Sequence, residues 1–228
     1  MILITKLYFN FVLETGELNE KIGVVLYPNY SLQEITCITS TLSIWFNEEI
    51  DYVASENICY FTEEGLPTYP TKLIQEVNIT DYDCIIIPGS INPLPGLYDD
   101  ELIHFLHQGI SSNVVFAAIS SAPLLLGKAG LLKGKKYTGG LFVQQLEYFD
   151  FMEIDNFTHK SIEIDDGLIT GIGMYFVDFA KAVLKYLDYP IDETFLNPNL
   201  KYTEKDLLFY YSEEDYLDFI NEVQAFEK

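Results

Sequence analysis

The segment Val114–Pro123, read VVFAAISSAP, constrains the fold of this chain more than any other stretch. A continuous apolar run ends at two serines, Ser120 and Ser121, and Pro123 then opens the helix-like segment LLLGKAGLL. A strand that turns sharply into a helix puts one side chain at the tip of the turn and aims the helix amides at it. Ser120 is the expected tip residue. Enzymes with α/β folds often place a nucleophile there, although no partner for it stands nearby in sequence.

The flanking pattern supplies the rest of such a fold. Lys21–Tyr27 (KIGVVLY) and Cys84–Pro88 (CIIIP) are short β-rich apolar runs suited to buried parallel strands. Ile50–Ala54 reads as a further strand, and Ile58–Thr62 with Pro67–Thr71 as a small β excursion. Helices are expected over Ser31–Asn47, over Asp99–Ile110 with acids in its first turn, and over Tyr175–Leu187. Ser161–Thr170 alternates around Asp166-Gly167, a hairpin signal. Strands alternating with helices predict an α/β architecture with a mostly parallel central sheet and helices on both faces. In such a sheet ligands sit outside the carboxyl ends of the strands. Here those ends lead to Tyr27–Glu34, to Gly89-Ser90 and to Ser120-Ser121.

Composition narrows the partners. The 228 residues suffice for one full core plus extra pieces, and 17 tyrosines with 16 phenylalanines suit dense packing. The net charge of −22 argues against nucleic acid and against an anionic membrane surface. All 13 basic residues are lysine, so a guanidinium clamp on phosphate or carboxylate is excluded within this chain. Cys37, Cys59 and Cys84 have neither disulfide-framework nor zinc spacing and read as free thiols in a reducing cytoplasm. No metal-ligand spacing, dinucleotide-binding glycine motif or P-loop points to a cofactor.

The ends differ from the middle. Residues 1–20 read as an extension with an added strand, ending at the turn Glu14-Thr15-Gly16, rather than as a signal peptide. The core domain is expected over 21–188. Residues 189–228 read as an acidic helical extension, with helices over Thr203–Tyr211 and Ser212–Phe226 and an acid three residues after Ser212.

The pieces KIGVVLYPNYSLQEIT, DYDCIIIPGS, VVFAAISSAPLLLGKAGLLKGKKYT and DDGLITGIG occur in this order over roughly 21–187. In this order and spacing the chain resembles the DJ-1/PfpI family, within the class I glutamine amidotransferase-like superfamily. That resemblance implies a flavodoxin-like three-layer αβα sandwich, to which the helical C-terminal extension is added here, and a homodimer or larger oligomer. It also implies an acid early in the first helix, matched by Glu34; a cysteine nucleophile at the elbow, where Ser120 stands; and a histidine after the GLLxGxxxT segment, where Gly140 stands. The usual Gly-Gly after the CIIIP strand is Gly89-Ser90.

Loss of both cysteine and histidine matters, because a serine hydroxyl is far less acidic than a thiol and needs an adjacent base. The catalytic candidates are therefore Ser120 and Glu34. Gly89, Ser90, Ser121, Tyr30 and Gly140 are expected around a ligand. Each has a plainer role as well. Ser31-x-x-Glu34 fits a capping box, Ser121 fits a helix cap, and Tyr27 and Tyr30 line the pocket mouth or simply pack. His104 and His107 are one helical turn apart and are expected to face solvent or fill a groove rather than to serve as a base or metal pair, while His159 precedes the SIEI strand, from where it could fold back toward the site.

The leading expectation is a catalytically diverged relative that binds a small polar molecule or serves in stress. It would lack cysteine-dependent amidase, protease or glyoxalase activity. The alternatives are a hydrolase or hydratase using Ser120 with Glu34, and an interaction module acting through the acidic C-terminal helices.

Overall fold

The computed structural model describes residues 20–192, 194–197, 199–201, 203–205, 207, 208 and 210–227. The chain divides into two compact units, of which one spans Asn19–Ile191 and the other includes the described part of 192–228. The added strand expected in residues 1–20 falls outside the described residues, apart from residue 20 itself.

The larger unit begins with β1 (Ile22–Val25), buried at every position. Then come α1 (Gln33–Ser40), extended by a wider helical turn over Thr41–Trp45, and β2 (Ile50–Ala54). The excursion is a two-stranded antiparallel ribbon of β3 (Tyr60–Phe61) and β4 (Pro67–Thr68). After β5 (Lys72–Leu73) and β6 (Cys84–Ile87) come α2 (Leu94–Leu97) and α3 (Asp100–His107). Next are β7 (Val115–Ile119), α4 (Pro123–Lys128) and α5 (Val143–Tyr148). The hairpin of β8 (Ile162–Asp165) and β9 (Leu168–Gly171) then leads into α6 (Phe176–Tyr186).

The sheet has seven strands in the order β5-β2-β1-β6-β7-β9-β8, and every pair is parallel except β8 with β9. The sequence explains the arrangement. β1, β6 and β7 are apolar throughout and buried on both faces, as central parallel strands must be. β8 carries Glu163 and Asp165 and sits at the edge, closed onto β9 by Asp166 and Gly167, both with positive φ. Helix α1 packs with α6, whereas α2, α3 and α4 pack with one another, so two helical groups flank the sheet. The flavodoxin-like α/β architecture read from the sequence is thereby observed.

Sheet order brings β1, β6, β7 and β9 side by side at the centre, so their carboxyl ends converge. Tyr27, fully buried, donates its hydroxyl to the Pro88 carbonyl at 2.7 Å and ties the β1 end to the β6 end.

Three local expectations are corrected. Helix α1 starts at Gln33, and its first amides are not met by a Ser31–Glu34 capping box. Glu64 from the ribbon does this instead: the Leu32 and Gln33 N–H groups donate to its two carboxylate oxygens at 3.1 and 2.9 Å. Ser121 does not cap α4, which has Ala122 at its cap position without a side-chain hydrogen bond. In the smaller unit the described residues of 203–211 form turns and irregular backbone rather than a helix. There α7 (Glu213–Phe226) is capped by the Ser212 hydroxyl, which accepts from the Asp215 N–H at 3.1 Å, and Tyr211 stacks on Phe219. Among the described residues no helix is long and apolar enough to cross a membrane. The three thiols are free, with Cys84 buried and Cys37 and Cys59 half-buried.

Candidate ligand pocket at the strand–helix elbow

Ser120 follows β7 directly with φ of 61°, a left-handed conformation uncommon for a residue with a Cβ. Two bonds hold it there. Its N–H donates to the Gly171 carbonyl at the end of β9 at 2.7 Å, and its own carbonyl accepts from the Gly140 N–H at 2.8 Å. The tip of the elbow is thus clamped between two loops, and its hydroxyl lies close to Gly140 and Gly173.

Glu34 reaches this point from the first turn of α1. Its Oε2 accepts from the Gly89 N–H at 2.8 Å, and the Ser120 side chain hydrogen-bonds to the same carboxyl group. Burial pushes the Glu34 carboxyl up to about 7; the bonds from Ser120 and Gly89 oppose the rise, and the nearby charges of Glu63 and Glu64 add to it. This acid therefore changes protonation state near neutral pH.

Three glycines make room for the pair. A Cβ at Gly89 would lie 2.5 Å from the Ser120 Cβ and 2.7 Å from Glu34 Oε2, and one at Gly173 would collide with Glu34 Oε1. A Cβ at Gly140 would lie 3.3 Å from Ser120 Oγ, so a side chain at that position would stand beside the hydroxyl.

A cavity of about 420 Å³ opens over the pair. Its lining includes Glu34, Ser120, Gly140 and Glu63, with Ile172, Met174 and Phe176 along an apolar wall. The geometry unites Ser120, Glu34, Gly89 and Gly140. It places the other candidates elsewhere. Ser121 and Ser90 are buried and bonded to each other, with the Ser121 hydroxyl donating to the Ser90 carbonyl at 2.8 Å and accepting from its N–H at 2.9 Å. Tyr30 is buried and donates to Thr68 Oγ1 at 3.2 Å, bracing the ribbon rather than lining the mouth. His104 contacts Gln108, His107 meets the Ala129 carbonyl and His159 lies against Phe157; none of the three lines the cavity.

Sequence reasoning missed Glu63 and the wall at 172–176. The signal for the wall lay in the GIG ending of DDGLITGIG, which follows a strand end. Glu63 carried no signal, since it arrives on an excursion whose docking site only the fold reveals. Among the described residues no group of three or more His, Cys, Asp or Glu side chains is arranged to hold a metal ion.

A mostly parallel sheet whose central strand turns through a left-handed serine into a helix is the strand–helix elbow arrangement of α/β proteins, and here Glu34 of the first helix meets the elbow. The family model of the DJ-1/PfpI family matches residues 20–186, and the chain belongs to that family. It is 29% identical over 120 residues to an uncharacterized protease, YdeA, of Bacillus subtilis, covering 50% of this chain and 61% of that one. It is 24% identical over 118 residues to the isonitrile hydratase of Pseudomonas putida, covering 52% and 51%. The matched region thus spans less than two thirds of either relative. A DJ-1 superfamily protein from Agrobacterium tumefaciens superposes with a TM-score of 0.68 at 20% identity, over 76% of this chain and 93% of that one, which establishes the shared fold.

Proposed function

We propose that this chain binds a small polar molecule over Ser120, in a small-molecule or stress-related role, and lacks the thiol chemistry implied by its family resemblance. One observation carries the reading. The backbone donors of the turn beside Ser120 are already engaged: Gly89 N–H by Glu34, Ser90 N–H by Ser121 and Ile91 N–H by Glu63. Acyl transfer needs donors held open for an oxyanion, and on the 89–91 side of the elbow these three donors are given to the protein's own side chains. With glycine at 140, no imidazole stands at that position to take a proton from Ser120.

Labelling with a fluorophosphonate panel followed by peptide mass spectrometry tests this, together with native mass spectrometry after incubation in metabolite extract. A non-covalent mass retained only under native conditions supports a binding pocket. A covalent adduct on Ser120 that is lost in Ser120→Ala, or turnover of methylglyoxal that depends on Ser120, overturns the non-catalytic reading.

A second reading has its own support. A carboxyl that titrates near 7 and is hydrogen-bonded to the elbow hydroxyl suits general acid–base work. Ser120 with Glu34 would then direct water onto a small polar substrate, a reaction class also found in the name of the hydratase relative. Under this reading Ser120→Ala and Glu34→Gln each abolish turnover without unfolding the protein.

Homodimerisation and cytoplasmic residence are further proposals. The first rests on family resemblance and is checked by the mass in solution; the second rests on the free thiols.

A further inference from the structure

The cavity over Ser120 has a one-sided charge. Its lining contributes two carboxylates, Glu34 and Glu63, and no lysine, and the chain has no arginine to reach in from elsewhere. Glu63 is held at the rim because its Oε2 accepts from the Ile91 N–H at 3.0 Å. The charges that act on Glu34 are those of Glu63 and Glu64, and both push the same way, so burial is compounded rather than relieved. The remaining lining includes the apolar side chains of Ile172, Met174 and Phe176.

We propose that this cavity selects a small organic ammonium compound, an inference that rests on the ligand-pocket reading above and names its ligand class. An ammonium group brings three donors and a positive charge to a site whose acceptors include Ser120 Oγ and the carboxylates of Glu34 and Glu63, beside the neutral side chains of Ser31 and Gln33. Its carbon chain packs on Ile172 and Met174, and Phe176 supplies an aromatic surface favourable to a cation. A carboxylate or phosphate of the same size meets the Glu63 charge, and that of Glu34 once ionised, with no side-chain cation in the lining. A neutral isostere fills the same volume without the charge gain. The net charge of −22 enriches cations near the molecule as a whole, so the selectivity must be shown to arise in the cavity.

Protonation is linked to this selectivity. The groups facing Glu34 are Glu63 and Glu64 from the ribbon side, the Ser120 hydroxyl, the Gly89 N–H and the Tyr27 hydroxyl. A bound cation favours the ionised carboxylate, so binding releases a proton near neutral pH and weakens as the pH falls.

Calorimetric titration with butylammonium chloride, butan-1-ol and sodium butyrate at about 0.15 M ionic strength tests the inference. Butylammonium is expected to bind about tenfold more tightly than butan-1-ol, with butyrate weakest. Glu63→Gln is expected to lower butylammonium affinity about tenfold and leave butan-1-ol unchanged. Glu147→Gln, at an exposed acid outside the cavity, is expected to change neither. Gly140→Val fills the space beside Ser120 and is expected to remove binding of all three probes, a control that does not depend on Glu63. Equal affinity for butylammonium and butan-1-ol, or an equal loss in Glu63→Gln and Glu147→Gln, overturns the cation inference while leaving a ligand pocket standing. Tighter binding of butyrate does the same. Binding of none of the three overturns the inference too, and the pocket reading then stands or falls on the metabolite mass measurement.

Discussion

The Gly89 N–H donates to Oε2 of Glu34 at 2.8 Å, joining residues 55 positions apart in sequence. The bond has two effects. It fixes the carboxylate over Ser120, and it removes the Gly89 N–H from the set of donors open to a ligand. An acid whose spacing also suits a helix cap is thus committed to the cavity lining, and Glu64 takes over the capping.

Glu34 links stability to pH. Its carboxyl is raised from 4.5 to about 7 in the folded protein. Between these values the folded state holds the proton and the unfolded state releases it, so this group's contribution favours folding below pH 4.5 and is lost as pH rises through 7. The full loss is roughly 3 kcal/mol. Glu34→Gln is neutral throughout, so relative to wild type it is expected to gain up to about 3 kcal/mol between pH 5 and pH 8. Urea unfolding of both proteins at the two pH values reads the difference, and parallel stability profiles would refute it.

Ser120 holds φ of 61° at the tip of the elbow, where glycine is at ease and a Cβ is not. Ser120→Gly is expected to stabilise the fold by up to about 1 kcal/mol, net of the greater entropy of an unfolded glycine. Ser120→Ala keeps the Cβ and is expected to bring no such gain. Thermal melts of the two variants distinguish strain relief from loss of the hydroxyl.

Glu64 satisfies two orphan amides of α1. Glu64→Ala is expected to cost about 1 kcal/mol, the usual price of a lost N-cap, and Ser31→Ala is expected to cost less. Chemical denaturation checks the order; the reverse order would restore the capping box to Ser31.

Ser121 both donates to and accepts from the backbone of Ser90 in a buried site. Ser121→Ala leaves the Ser90 N–H and carbonyl without that partner, at an expected cost of about 1–3 kcal/mol. Faster amide exchange at Ser90 in this variant, measured by NMR, would confirm the contact, and unchanged exchange would remove it.

The chain sequence determined the elements whose signals are local. Continuous apolar runs made β1, β6 and β7 central, Asp166-Gly167 closed the hairpin, and the two serines before Pro123 marked the elbow. The resemblance brought Glu34 and Gly140 to the same site. Burial and pairing were not local, and there the reading strayed. Ser31 and Glu34 have capping-box spacing, yet a carboxylate 30 residues beyond Glu34 displaced that box once the ribbon folded over α1. Ser90 and Ser121 have ligand-pocket positions in the sequence, yet the Ser121 hydroxyl is bonded to the Ser90 backbone and the Ser90 hydroxyl accepts from the Asn92 N–H. The acidic stretch 203–211 has helical composition, but its described residues lack a helix, since so short a segment depends on packing more than propensity. Tertiary structure alone decided that Glu63 would join Glu34 in one cavity, because the raised carboxyl and the one-sided charge arise from distances between segments and from exclusion of water, neither of which residue order contains.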